Sequence, residues 1–276
     1  MKYLLLPCFL FSALVMQAQY YYRDIIGTRE SSDLLKTYQK AGVTRVSVSS
    51  YDAENTRNDD FFVAQTFSKA HVALRTVTRN GSSDESVLFS YGDTAGRIIR
   101  TVDSSANLKS ITQYGYNERG QLQFMNSSSS DTSKQLNETE SHQWQWNNGQ
   151  LVRMLRIINN LDTTVVDFRI EKGNIVEEWS THRGVKTDPV YYYYNDLNQL
   201  TDIVRFNNKA KRLLPEYMFE YNTDGRVIQR ITVPANSSAY TIWRYQYNSE
   251  GLKIKEAVYD RYKMLNGKIE YQYSRD

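Results

Sequence analysis

The residues that could perform acid–base or metal chemistry are few and far apart in this chain. The histidines are His71, His142 and His182. No His-Glu-x-x-His helix motif, Gly-x-Ser-x-Gly elbow or phosphate-binding glycine loop is present. His142 precedes Trp144 by two residues in a predicted strand, so we expect its ring to lie on the same face as the aromatic residues.

The carboxylates offer two candidate arrangements for catalysis. Glu177, Glu178 and His182 could form one cluster, while Asp59 and Asp60 could act as the paired carboxylates of glycoside hydrolysis. Ordinary polar positions explain both arrangements better, with His182 in the polar connection 180–188 and Asp59 and Asp60 in a solvated loop. We therefore predict no catalytic residue and no enzyme activity, and keep an envelope hydrolase acting on glycan or peptide as an alternative.

Oxygen-bearing residues of the predicted turns provide the remaining candidate metal ligands. Asn222, Asp224 and Glu250 could bind calcium through their side-chain oxygens. The ordinary role of such residues is to shape turns by accepting hydrogen bonds from the nearby backbone. We predict that role, no metal site and no cofactor.

The N-terminus resembles a secretory signal. Lys2 is followed by an apolar run over 3–16, which is shorter than the about 20 residues of a membrane-spanning helix. Ala18 is a suitable small residue for cleavage, so residues 1–19 are the expected signal. The only cysteine, Cys8, lies within it. We expect an exported protein, periplasmic, outer-membrane-associated or extracellular, without disulfides.

Charge gives no indication of a nucleic-acid partner. The formal net charge is only +3, and the densest basic cluster, Lys209, Lys211 and Arg212, is typical of a solvated loop. No later apolar run is long enough for a transmembrane helix. We predict no nucleic-acid binding and no transmembrane helix.

Composition and spacing favour strands. Tyrosine is frequent, at 22 residues, and proline is rare, at 4. In the N-terminal segment, 20–85, Ser31 or Ser32 is the predicted start of a short helix that ends at Gly42. Strands that continue into one sheet are predicted at 43–50, 61–67 and 72–78.

Residues 86–276 repeat a hairpin pattern. Each copy has an aromatic residue, any residue, an aromatic or aliphatic residue, a polar turn with glycine, and then an aliphatic residue. The turn positions are 96, 120, 149, 173, 198, 225 and 251, spaced by 24 to 29 residues. About seven copies with a period of about 25 predict a repeat architecture.

Turn geometry predicts which residues oppose each other. An Asn-Gly loop places Trp146 opposite Leu151, and a three-residue loop with left-handed Gly225 places Tyr221 opposite Val227. The same count predicts the pairs Tyr116–Leu122, Ile170–Ile175 and Tyr194–Leu200. It also opposes Tyr247 to Lys253, where we expect a register shift that uses Leu252 or Ile254 instead.

One step further from each turn, the same count places polar residues opposite aromatic ones. The predicted pairs are Trp144–Arg153, Phe168–Glu177, Tyr192–Asp202 and Phe219–Gln229. Because a deep core would exclude these charges, we predict an aromatic face that is only partly covered. The predicted fold is all-β, an extended or curled antiparallel sheet of repeated β-hairpins with a short N-terminal helix. Residues 126–140 and 207–215 are expected to be connections.

The segments Tyr-Asn-Glu-Arg-Gly-Gln-Leu at 116–122, Tyr-Asn-Thr-Asp-Gly-Arg-Val at 221–227 and Tyr-Asn-Ser-Glu-Gly at 247–251 resemble tyrosine-aspartate (YD, or Rhs) repeats. That family's motif is Tyr-Asp-x-x-Gly-Arg-Leu. Here asparagine replaces the aspartate, and Trp146 and Ile170 replace the tyrosine in two copies. The resemblance implies a secreted or cell-envelope repeat scaffold and no activity.

The function predicted from the sequence is that of a non-catalytic exported scaffold with a binding or structural role at the bacterial cell envelope. An envelope glycan or protein is the candidate partner, held on the aromatic face. The candidate binding residues are Tyr192, Tyr194, Tyr217, Phe219, Tyr221, Tyr245 and Tyr247.

An outer-membrane β-barrel is the other alternative, because seven hairpins supply about 14 strands. The predicted second tier argues against it, since Arg153, Glu177 and Asp202 would then face lipid at a cost of up to about 2–4 kcal/mol for a charge at the midplane.

Overall fold

The computed structural model describes residues 19–275, apart from 82–84, 135, 235, 236 and 238. The expected signal, residues 1–19, therefore lies outside the described residues except for Gln19.

The described chain begins with a helix that is longer than predicted. A π-helical turn, Tyr21–Ile26, continues directly into helix α1, Gly27–Ala41. The two together are called the N-terminal helix. Gly42 ends it in the left-handed conformation (φ 66°), as predicted. Ser31 and Ser32 do not start the helix, because both hydroxyls donate to carbonyls one turn earlier within it.

Nineteen strands follow along the described residues. They are β1 Arg45–Asp52, β2 Phe61–Ser68, β3 Ala73–Asn80, β4 Ser86–Gly92, β5 Ile98–Ser105, β6 Leu108–Tyr116, β7 Leu122–Asp131, β8 Leu136–Asn147, β9 Gln150–Ile158, β10 Asp162–Glu171, β11 Asn174–His182, β12 Val185–Lys186, β13 Val190–Tyr194, β14 Leu200–Asn207, β15 Arg212–Tyr221, β16 Val227–Thr232, β17 Thr241–Tyr247, β18 Lys253–Tyr259 and β19 Leu265–Ser274. The connections predicted at 126–140 and 207–215 are wrong, because most of their residues belong to strands.

The sheet is a closed antiparallel barrel, which corrects the predicted extended or curled sheet. Apart from β12, each strand pairs with its neighbours along the chain, and the first strand, β1, pairs with both β2 and the last strand, β19. The short strand β12 pairs only with β11, so 18 strands form the wall. Closure removes both free sheet edges.

Each repeat contains a β-bulge that the sequence count missed. The five predicted pairs next to the turns are all present. Immediately beyond each pair, one extra residue enters the second strand and shifts the register, so Phe168 opposes Glu178 and not Glu177. The bulge places Arg153, Glu177, Asp202 and Gln229 on the other face of the sheet.

The bulge explains why an open sheet was predicted. Trp144 opposes Met154, Tyr192 opposes Ile203, and Phe219 opposes Arg230. Met154 and Ile203 have no exposed surface, so the aromatic face is covered. The last full copy pairs Tyr247 with Lys253 without the expected shift to Leu252 or Ile254.

The aromatic residue nearest each turn joins its own repeat to the preceding one. Its polar tip donates to a main-chain carbonyl of the preceding repeat, at 2.6–2.9 Å. The bonds are Tyr116 to Ile98, Trp146 to Leu122, Tyr194 to Ile175, Tyr221 to Leu200, Tyr247 to Val227, and Tyr273 to Lys253. Tryptophan can replace tyrosine because its indole N–H also donates. Ile170 supplies no donor.

The inter-repeat bond can be tested by removing one hydroxyl. We expect Tyr221→Phe to lower the free energy of unfolding by about 1 kcal/mol, because the ring stays while the Leu200 carbonyl loses its donor. Urea denaturation measures the change. Tyr193→Phe is the control, since Tyr193 lies on the opposite face of the sheet and is 48% exposed. Equal losses in the two variants would contradict the role of the bond.

The N-terminal helix lies inside the barrel. Tyr20 N–H donates to Glu178 on β11, Ser32 Oγ accepts from Ile98 N–H on β5, and Tyr38 OH donates to Gln65 on β2. One helix can reach such distant parts of a closed ring only from within. The aromatic face is therefore the lumen face, and its successive aromatic residues, such as Tyr192, Phe219 and Tyr245, are called the aromatic ladder. The opposite face of the sheet is the outer wall. No helix among the described residues is long and apolar enough to cross a bilayer.

Candidate functional site

The lumen holds the N-terminal helix through two apolar clusters. Ile26 and Tyr20 pack with lumen-facing residues of β7–β15, among them Trp144 and Tyr192. Leu35 and Tyr38 pack with residues of β1–β3 and with Leu252. The helix is thus part of both clusters that the lumen face buries.

A buried carboxylate holds the beginning of the helix. Glu178 has no exposed surface. Its two oxygens accept the N–H groups of Tyr20 and Tyr21, at 2.8 and 2.9 Å, and the hydroxyl of Tyr192, at 2.8 Å. Nearby, the Gln19 amide donates to Glu216. Glu178 thus satisfies main-chain N–H groups that the first helical turn leaves without partners.

A second polar cluster joins the helix to strands β8 and β9. The His142 ring lies between Asp24 of the helix and Glu140, with Nδ1 2.5 Å from the first carboxylate and Nε2 2.7 Å from the second. Arg156 also donates to Glu140, at 2.6 Å. Tyr20 packs edge-on against the His142 ring. The cluster connects the helix to the barrel wall by charge-assisted bonds.

Burial and charge act in opposite directions on this cluster. Burial alone would lower the pKa of His142, but the carboxylates of Asp24 and Glu140 outweigh it and raise the pKa to about 9. Burial would raise the pKa of Glu140, but hydrogen bonds from His142 and Arg156 lower it to about 2. Burial raises the pKa of Glu178. His142 is therefore a cation at neutral pH.

The raised pKa of His142 predicts how stability depends on pH. Because the folded pKa is about 9 and the unfolded one about 6.5, the stabilisation is complete below pH 6.5 and is lost as pH rises through 9. We expect a loss on the order of 2 kcal/mol across this window. His142→Gln should flatten the slope of unfolding free energy against pH. His182→Gln, at a half-exposed rim histidine, is the control and should keep the slope.

The predicted binding tyrosines all lie on the lumen face. Tyr192, Phe219 and Tyr245 are at most 9% exposed, and Tyr194, Tyr217, Tyr221 and Tyr247 are half-buried. Tyr22 of the helix packs against Tyr217 and Phe219, with ring centroids 5.2 and 5.7 Å away. A ligand would have to displace the helix to reach this part of the ladder.

The other candidate residues are not brought together. Glu177 and Glu178 point to opposite faces of β11, and Glu177 pairs with Arg169 on the outer wall. His182 instead contacts Asp162, at 2.8 Å. His71, Asp59 and Asp60 are exposed. Across the described part of the chain, no group of three or more metal-binding side chains occurs.

Of the three turn residues, Asn222 has the backbone-accepting role predicted for it, while Asp224 and Glu250 form ion pairs with arginines instead. Asn222 Oδ1 accepts the N–H groups of Asp224 and Arg226, and the Asp224 carboxylate pairs with Arg226. Glu250 pairs with Arg275. The asparagine at this position of the motif therefore shapes the turn that Gly225 completes.

The outer wall mixes charged and apolar residues. Ion pairs join Arg153 to Asp167 at 2.7 Å, near the middle of β9 and β10, and Arg169 to Glu177 at 2.7 Å, near the turn that ends β10. Strands β7 and β8 add an outer row of serine, threonine, asparagine and glutamine. Within the part of the chain that the structure describes, these charged and polar residues interrupt any apolar band around the barrel.

No family model and no curated protein matches the chain. Among solved structures, a porin-like protein from Bacteroides uniformis is similar at 10% identity, with 84% of this chain and 96% of that chain covered and a TM-score of 0.39. The Tc holotoxin pore of Photorhabdus luminescens matches at 12% identity over 76% of this chain, with a TM-score of 0.34. A TcdB2-TccC3-Cdc42 structure matches at 13% identity over 71%, also with a TM-score of 0.34.

This chain spans only 11–12% of the length of the two toxin chains. TM-scores this low support no conclusion about fold or function. The functional proposal therefore rests on the barrel itself. A closed β-barrel agrees with the outer-membrane alternative better than with an open repeat scaffold.

Proposed function

We propose that this protein is a non-catalytic β-barrel of the bacterial envelope whose lumen is plugged by its own N-terminal helix. The observation that carries the proposal is the closed ring of 18 strands with the helix bound inside. The role is structural or binding, and the lumen does not conduct while the helix is in place.

The plug is supported by the density of its contacts. Backbone N–H groups, aromatic rings and the Asp24 carboxylate of the helix have partners on the wall, and Leu35 and Tyr38 are at most 3% exposed. Apolar burial of this kind and satisfied polar groups favour a helix that stays in the lumen.

The relation to tyrosine-aspartate repeats is also part of the proposal. It is supported by the structural roles of the motif residues in this barrel. Tyr221 bonds to the preceding repeat, Asn222 shapes the turn and Gly225 takes the left-handed conformation (φ 78°). Each of these motif positions thus has a structural role that explains its residue type without a ligand.

Two surroundings remain for such a barrel within the envelope. The closed meander without free edges favours insertion in the outer membrane. The Arg153–Asp167 pair near the middle of strands β9 and β10 favours an aqueous compartment, because an Arg at the midplane of a bilayer costs about 2–4 kcal/mol.

The location is tested by expressing the full chain in a Gram-negative host and fractionating the cells. We expect the protein in the envelope fraction, and its recovery from the cytoplasm alone would reject the proposal. Monodisperse purification without detergent would show an aqueous surrounding. A requirement for detergent, with migration on a gel that changes on heating, would show an outer-membrane barrel.

The plug is tested by thiol labelling in a Cys8→Ser background. Ile203→Cys places a thiol on the lumen face, where the native side chain has no exposed surface. Tyr193→Cys is the matched outer-wall control. We expect a maleimide to label the control rapidly and the lumen thiol only after denaturation. Equal labelling in the native protein would show an open lumen.

A further inference from the structure

The outer wall contains a groove of about 410 Å³ across strands β15–β17. Its floor is an apolar row in which Met218 opposes Ile231, and Ile231 opposes Ile242. Although it faces outward, Ile242 is only 4% exposed. With adjacent strands about 4.8 Å apart, this floor extends for roughly 10 Å.

Cationic groups line the same groove. Arg244 donates from Nε to Gln229, at 3.1 Å, and its guanidinium lies 5.1 Å from the ring centroid of Tyr259. Lys263, in the turn before β19, also lines the groove and is exposed. None of the described residues that line it is acidic. The groove is therefore apolar along its floor and positive in net charge.

We propose that this groove binds one free fatty acid, with its acyl chain on the Met218–Ile231–Ile242 floor and its carboxylate at Arg244 and Lys263. The volume falls within the about 300–1,000 Å³ of small-molecule sites. A guanidinium with unused N–H groups and an ammonium can each form charge-assisted bonds with a carboxylate. The site is independent of the helix in the lumen, and it rests on the aqueous surrounding of the two named under the proposed function.

The neighbouring wall favours a single free chain over a bilayer. The adjacent outward row contains Glu220 and Lys268 beside Arg244. A bilayer pressed against this wall would remove water from these charges, at a high cost. One acyl chain fills the groove and leaves them solvated.

The test is displacement of dansyl-labelled undecanoic acid from the purified full chain by dodecanoate. We expect saturable fluorescence that dodecanoate abolishes. Ile231→Glu should weaken binding at least tenfold by charging the floor. Ile157→Glu is the matched control, because Ile157 is a half-buried outward residue of β9, and its binding should equal that of the wild type.

The carboxylate contact is tested separately. The double variant Arg244→Gln and Lys263→Gln should weaken dodecanoate about tenfold but leave binding of uncharged dodecanol unchanged. Circular dichroism would show whether Ile231→Glu folds. If it does not, the double variant is the test of the binding site. Absence of displaceable binding, wild-type affinity in the double variant, or binding to anionic phospholipid vesicles without binding of monomeric dodecanoate would each overturn the proposal.

Discussion

Replacing Leu35 by aspartate should lower the free energy of unfolding by about 4 kcal/mol, because the change removes a buried side chain and buries an unpaired charge. Leu35 is 1% exposed and packs with Val46, Phe67 and Leu252 from the wall. Urea denaturation followed by tyrosine and tryptophan fluorescence measures the loss. We also expect binding of a hydrophobic dye, because the lumen face becomes accessible when the helix detaches.

The adjacent residue offers a matched control for this substitution. Leu34 occupies the same helix and is 39% exposed, so Leu34→Asp should change stability by no more than about 0.5 kcal/mol. A small effect in both variants would show that the helix is not part of the barrel's core. A large effect in both would instead point to helix propensity as the cause.

Replacing Glu178 by alanine should release the beginning of the N-terminal helix. The change leaves the N–H groups of Tyr20 and Tyr21 and the hydroxyl of Tyr192 without their acceptor. Each unsatisfied buried group costs about 1–3 kcal/mol, and the relief of a buried carboxylate offsets part of it, so we expect a net loss of about 3 kcal/mol. Hydrogen exchange should become faster first in residues 19–26.

Glu177→Ala is the internal control for this prediction. Glu177 is the preceding residue of the same strand, but its side chain lies on the outer wall and pairs with Arg169. We expect no measurable change in exchange at the helix. Glu178→Gln keeps one acceptor oxygen and should give an intermediate loss. If the alanine variant exchanges at the wild-type rate, Glu178 does not hold the helix.

The pairs next to the turns were predictable from sequence, and the tier beyond them was not. Turn length fixes the register of Trp146 with Leu151 and of Tyr221 with Val227, because the loops are two and three residues long. The extra bulge residue, such as Val152 or Ile228, has no distinctive residue type. One inserted residue moves every later side chain of the strand to the opposite face of the sheet. Because the sequence count omitted this residue, it placed charges on the aromatic face and predicted an open sheet.

The closure of the barrel and the location of the helix inside it could not be predicted from the sequence, for a different reason. Strand β1 pairs with β19 through residues more than 200 positions apart, and no local pattern encodes that contact. The helix was predicted, and Gly42 marked its end. Its surroundings could not be inferred, because Leu35 and Tyr38 show an apolar face without showing what covers it.

In the candidate site, too, the sequence indicated the residues but not their partners. The residue types that hold the helix, Glu178 and His142, were noticed in the sequence as candidates for catalysis or as part of the aromatic face. Their partners, Tyr20 and Asp24, lie more than 100 residues away. An available signal was the alternation along β11, which already places neighbouring glutamates on opposite faces.

Closure by the two ends of the chain sets the order in which this protein can fold. Thr44 N–H bonds to the Ser274 carbonyl, so the first strand stays without one partner until the last strand has been made. Contacts this distant in sequence make folding slow. During that time β1 and the growing end of the sheet are both free to pair with other chains. Synthesis from the N-terminus therefore leaves these edges exposed until β19 has been made, and we expect a holding chaperone to raise the yield of native barrel.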